Sequence, residues 1–205
     1  MTILGINTAE EFSQIALVSE QGILVENKWK AENNESELLL PEIIKMMESK
    51  KIKWEEIDKI FIVSGPGPFT ALRVSISAAN ALAYGLNKPI IGMPLIDLWK
   101  CKYNGDIAIF AGQNRVFYNN ELISFEQFLD SLETGKEISG FLKDNHIEML
   151  KNKGIKWIDE KDLLSFGGII LDLIKKNFSG LSEKEIVEPL YFSAPVVTKS
   201  NKSYK

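Results

Sequence analysis

The chain has 205 residues, 45% of them hydrophobic, so it can bury one sizeable core or two small ones. Its net charge of −4 argues against a self-sufficient nucleic-acid binder, which needs an excess of Lys and Arg to neutralise phosphates. With Cys101 the single cysteine and His146 the single histidine, an intramolecular disulfide is excluded and zinc, iron and Ser-His triad chemistry very nearly so.

The first third reads as strands. "TILGINT" (2–8), "SQIALVS" (13–19) and "ILVENKWK" after the Glu20-Gln21-Gly22 turn signal form a meander. "NNESELLLPEIIKMMESKK" is helical, with Asn34 as N-cap and Glu37 three residues on, and with Pro41 expected near the helix start. "IDKIFIVS" (57–64) is a buried strand. Gly65-Pro66-Gly67-Pro68 must be a loop, because proline fixes φ and lacks an N–H while glycine takes conformations other residues refuse. A second helix then runs from Thr70 to Tyr84, closed by Gly85, and "KPIIGM" returns to strand.

Both helices carry more apolar surface than one buried stripe requires. The first has Leu38, Leu39, Leu40, Ile43, Ile44, Met46 and Met47; the second is rich in alanine, which permits close approach. Two readings stay open: both faces buried within the chain, or one face given to a partner.

After residue 100 the pattern weakens. "DIAIFAGQNRVFYNNELISF" reads as a hairpin or meander turning at Asn119-Asn120, "SFEQFLDSLE" as a helix, "KEISGFL" as a strand, "HIEMLKNKG" as a short helix with His146 on its surface, and "IKWI" as a strand. "DEKDLLSFGGIILDLIKKNF" reads as a last helix with an acidic start, its Gly167-Gly168 hinting at close packing. No strong internal repeat is visible. The end of the chain, with Lys199, Lys202 and Lys205, reads as a solvated basic tail. No run suits a signal peptide or a membrane span, so a cytoplasmic location is expected.

A glycine loop feeding a helix start is a place where phosphate is commonly held. Gly65, Gly67, Thr70 and Arg73 are the candidates, with Arg73 as the anion contact. "GPGPFTALR" lacks the Lys-Ser/Thr of a P-loop, so the loop reads first as a structural turn and second as a vestigial phosphate site. No catalytic residue and no metal ligand set emerges.

The element order resembles the first lobe of the actin-like, Hsp70-like and sugar-kinase (ASKHA) α/β fold. "LGINTA" (4–9), "ESELLLPEI" (35–43), "SGPGPFTALRVSISAANALA" (64–83) and "PIIGMPLIDL" (89–98) together resemble the TsaB (YeaZ) family. That is the dimerisation subunit of bacterial tRNA threonylcarbamoyladenosine (t6A37) biosynthesis. The resemblance implies two lobes: residues 1–100, a divergent and reduced second lobe over 101–195, and a disordered basic tail over 196–205. It implies a non-catalytic subunit that binds and supports TsaD in transferring threonylcarbamoyl to N6 of adenosine 37. TsaE joins the complex, TsaC supplies the adenylate, and tRNA is met only through the complex. No cofactor of its own is implied, with ATP or ADP left to the complex. The TsaD contact would be a helix bundle, here Leu39, Ile43, Met46 and Met47 with Val74, Ala78 and Leu82. A homodimer through the same helices and a small ASKHA-fold ATPase or kinase are the alternatives. Against the family pattern, Asn7 replaces Asp, Pro68 replaces Ser, Ala71 replaces Gly, and "FAGQNRVFY" (110–118) is a loose match to its segment.

Overall fold

The apolar start of the chain forms β1 (Thr2–Asn7), which pairs antiparallel with β2 (Phe12–Ser19). In turn β2 pairs antiparallel with β3 (Gly22–Lys30), giving the expected meander. The structure is a computed structural model describing residues 1–30 and 34–191. After α1 (Glu35–Lys50), β4 (Lys59–Gly65) joins β1 in parallel. Helix α2 (Phe69–Leu86) leads to β5 (Ile90–Pro94), parallel to β4. Nearly every residue of β1 and β4 is buried, which explains why both read as apolar runs rather than alternating strands.

From α3 (Leu95–Lys102) the chain enters a second sheet: β6 (Asp106–Phe110), β7 (Arg115–Tyr118), β8 (Glu121–Ser124), α4 (Phe125–Asp130), β9 (Glu137–Phe141), α5 (Asp144–Asn152) and β10 (Lys156–Trp157). It then returns to the first sheet through α6 (Phe166–Lys175) and β11 (Glu183–Lys184). The first sheet runs β11-β5-β4-β1-β2-β3 and the second β10-β9-β6-β7-β8. In each, an antiparallel three-strand meander is extended by two parallel strands on the side of its first strand. The two lobes thus repeat one topology, the two-lobed α/β architecture expected.

Helices α1 and α2 pack beside each other on the first sheet. Helix α6 covers β1 to β3 from the side to which Gly5 points, where a Cβ would collide with Ile170. Gly167 makes the same kind of approach, since a Cβ there would meet Glu26 and Ile23.

Several expectations are corrected. Helix α2 runs through Gly85 and ends at Asn87, which takes the left-handed conformation (φ 51°) that its short amide side chain tolerates. Pro41 sits inside α1, on its exposed side. The acidic segment before α6 is not its first turn: Glu160–Asp162 is a 3-10 turn, and α6 begins after Ser165, whose Oγ accepts from the Gly168 N–H. Of the range 101–195 expected for the second lobe, α6 and β11 pack on the first sheet. The basic tail at 196–205 lies outside the described residues. Among those described, no helix is long and apolar enough to cross a membrane.

Candidate functional site

The glycine loop is built against its neighbours rather than held open. Gly65 has φ +101°, and a Cβ there would stand 2.6 Å from the Leu190 carbonyl oxygen. At Gly67 a Cβ would be 2.5 Å from the carbonyl oxygen of Ala9, so only glycine lets the two loops touch. The Gly65-Pro66 peptide is cis. Thr8 ties the β1–β2 connection to α2, its hydroxyl 2.7 Å from Ser75 Oγ and 3.1 Å from the Ala71 carbonyl.

Thr70 is exposed on the first turn of α2. The Arg73 guanidinium lies 4.0 Å over the Phe69 ring, and its Nε donates to the Tyr191 hydroxyl at 3.4 Å. The guanidinium is thus laid on these aromatic rings while the residue stays exposed.

Asn7 is spent internally as well. Its Nδ2 donates to Glu10 Oε2 at 2.6 Å, and its Oδ1 accepts from the Ala9 N–H. Glu10 is buried and also accepts from Trp99 Nε1 at 3.0 Å. Burial pushes its carboxyl above the usual carboxylate range, while Lys102 and the two hydrogen bonds pull it back. The Lys102 ammonium, fully buried, lies 4.3 Å over the Trp99 ring and pairs with Glu160 at 2.5 Å. Although burial acts to raise it, Lys102 and Lys28 hold the Glu160 carboxyl below its ordinary value. The sequence reading missed this network, whose members come from four separate elements.

Between the lobes, beside the glycine loop, is a cavity of about 570 Å³. Pro66, Gly67, Pro68 and Phe69 face Phe110 to Gln113 and Phe141 to Asp144 across it, and Tyr191 completes the wall.

His146 is buried rather than on the surface. Its ring stacks on Phe125 at 3.9 Å, and its Nε2 lies 3.0 Å from Asn114 Oδ1. Burial, and then Lys143, lowers its pKa. The polar residues around it in sequence hid this, because Phe125 and Asn114 reach it from other elements. Among the described residues no three His, Cys, Asp or Glu side chains gather as metal ligands.

The partner-facing expectation for α1 is corrected. Leu39, Ile43, Met46 and Met47 are 0–4% exposed and belong to the core. On the same helix Leu40 and Ile44 are 45% and 44% exposed, and on α2 Tyr84 is 90% exposed. Val74, Ala78 and Leu82 are half-buried, packed against the core at the edge of α2. The most apolar face of a helix is the one its own sheet takes, so the surface available to a partner is the next stripe round.

Comparison with known proteins follows this geometry. Residues 12–99 match the family model described as TsaD, tRNA N6-adenosine threonylcarbamoyltransferase. A tRNA N6-adenosine threonylcarbamoyltransferase of Thermococcus kodakarensis is 30% identical over 93% of this chain and 65% of its own length. The chain spans just under two thirds of the length of such Thermococcus relatives. By contrast, the tRNA threonylcarbamoyladenosine biosynthesis protein TsaB of Buchnera aphidicola is 25% identical over 98% of this chain and 92% of its own. The fold of YeaZ from Pseudomonas aeruginosa matches with a TM-score of 0.68 at 18% identity, covering 93% of this chain and 99% of that one. Over nearly its full length the chain is similar to TsaB and shares the fold of YeaZ. In this chain the glycine loop is packed against Ala9 on one side and lines the interlobe cavity on the other.

Proposed function

We propose that this chain is a non-catalytic subunit of tRNA threonylcarbamoyladenosine biosynthesis, pairing with a TsaD-type transferase through the outer face of α1 and α2. The observation that carries the reading is the outward placement of Leu40, Ile44 and Tyr84 on these two adjacent helices. Large apolar side chains held outward on a helix pair favour helix-in-groove or bundle association. Since residues 12–99 match a TsaD model, this lobe and that of a TsaD chain are related. Two related helix pairs can meet about a pseudo-two-fold axis, each supplying the same stripe. A homodimer through the same face is the second reading, favoured by the same residues. TsaE, TsaC and tRNA enter only through the complex.

The non-catalytic part rests on Asn7, an amide engaged by Glu10 and Ala9, and on the lone histidine enclosed by aromatic rings. Neither is placed to move a proton on a substrate.

Threonylcarbamoyl transfer to tRNA tests the proposal, measured with the TsaD-type subunit of the same source and the remaining components. Adding this chain should raise the rate, and a Leu40→Glu, Ile44→Glu double variant that folds normally should not. Transfer by this chain in the absence of TsaD, or full support by the double variant, would contradict it.

A further inference from the structure

We propose that the interlobe cavity is a binding site for a small, flat, uncharged ring compound rather than for a polyphosphate. This does not depend on the pairing proposed above.

The walls argue for the ring. Phe69 from α2, Phe110 from the end of β6, Phe141 from the end of β9 and Tyr191 from the returning chain all face a space of about 570 Å³. Pro66, Pro68 and Leu142 fill in between. That volume lies within the range typical of small-molecule sites, and aromatic walls contact a planar ring through stacked or edge-on geometries.

The charges argue against a polyphosphate. Glu11 and Asp144 stand in the lining against Arg115 and Lys143, so the formal charges of the wall cancel. Lys143 Nζ already lies 4.5 Å over the Phe110 ring. Of the groups expected to take phosphate, Gly65 is pressed against Leu190, Gly67 against Ala9, and Arg73 lies on Phe69 and Tyr191, which leaves the exposed Thr70. A triphosphate brings several negative charges, and a wall without net positive charge cannot repay their desolvation.

Because both lobes contribute walls, a bound ring would bridge them and stabilise the folded chain by RT ln(1 + L/Kd) at free ligand concentration L.

The test is a backbone-amide NMR titration of the full chain with indole as the flat uncharged probe and ATP as the comparator. Indole should shift residues 67–69, 110–113 and 141–144 saturably, with ATP at least about tenfold weaker. Ala111→Trp, which fills the cavity, should weaken indole at least about tenfold, whereas Lys175→Gln, at an exposed position on α6, should not. If Ala111→Trp fails to fold, Phe141→Leu, which trims one aromatic wall, should weaken indole in the same direction. Absence of saturable shifts at these residues, or indole binding indifferent to the cavity variants, would overturn the proposal. So would ATP binding more tightly than indole and losing its affinity in Arg73→Ala, which would restore the phosphate reading.

Discussion

The two lobes share a strand order but hold their sheets differently. In the first, β1 and β4 are buried nearly throughout, with α6 on the side to which Gly5 points and α1 and α2 also laid on the sheet. In the second, the strands are two to five residues long and the helices α4 and α5 are short; their core gathers around Phe125, Phe128 and Leu150. A long buried strand is a continuous apolar run and announces itself, whereas a strand of two to five residues is too short to do so even where, as in β6, it is buried. The same architecture is therefore plain in one half of the chain and obscure in the other.

Substituting a core residue in each lobe should separate the two most strongly. Ile43→Asp places a carboxylate in the fully buried centre of the first lobe and should cost more than about 4 kcal/mol, abolishing cooperative unfolding of that lobe in denaturant titrations. Leu150→Asp should open the second lobe while amide-exchange protection in β1 and β4 persists; loss of that protection would mean the lobes fold as one unit.

A smaller effect is expected where the chain passes back between lobes. Glu160→Gln leaves the buried Lys102 ammonium without its carboxylate and should destabilise by about 3 kcal/mol in chemical denaturation. A change under about 0.5 kcal/mol would show the pair to be dispensable.

The lobes should also answer pH with opposite signs. His146, in the second, has a folded pKa below its ordinary 6.5, so its contribution is complete above that value and is lost as pH falls through the lower folded value. Glu10, in the first, has a folded pKa above its ordinary 4.5, so its contribution is complete below 4.5 and is lost as pH rises through the folded value. Amide exchange followed across pH in wild type, His146→Gln and Glu10→Gln should show each slope vanish only in its own lobe. The smallest change should come from Asn120→Gly in the β7–β8 turn: at φ 65° glycine fits as well as asparagine, so thermal stability should move by no more than about 0.5 kcal/mol.

What was legible follows the range of the forces involved. Local signals held: the Asn119-Asn120 turn has both residues at positive φ, and Gly167 sits in close contact with β3 as its place in a helix suggested. Signals needing distant partners failed. The burial of His146 depends on Phe110 and Phe125, and the pairing of Lys102 on Glu160, 58 residues further along the chain. The residues expected to face a partner on α1 were misplaced for another reason: the richest apolar stripe of the helix belongs to the core. Leu40 and Ile44, four residues apart beside Pro41 and Lys45, were the signal that a second stripe faces outward.

The most direct measurement is co-purification of the full chain with the TsaD-type subunit of its own source, comparing wild type, Leu40→Glu with Ile44→Glu, and Tyr84→Glu. Wild type should form a stable complex by size-exclusion chromatography, and both surface variants should lose it while keeping wild-type unfolding curves. A complex unaffected by either variant would contradict the assignment of the outer face of α1 and α2, and no complex with wild type would contradict the pairing itself.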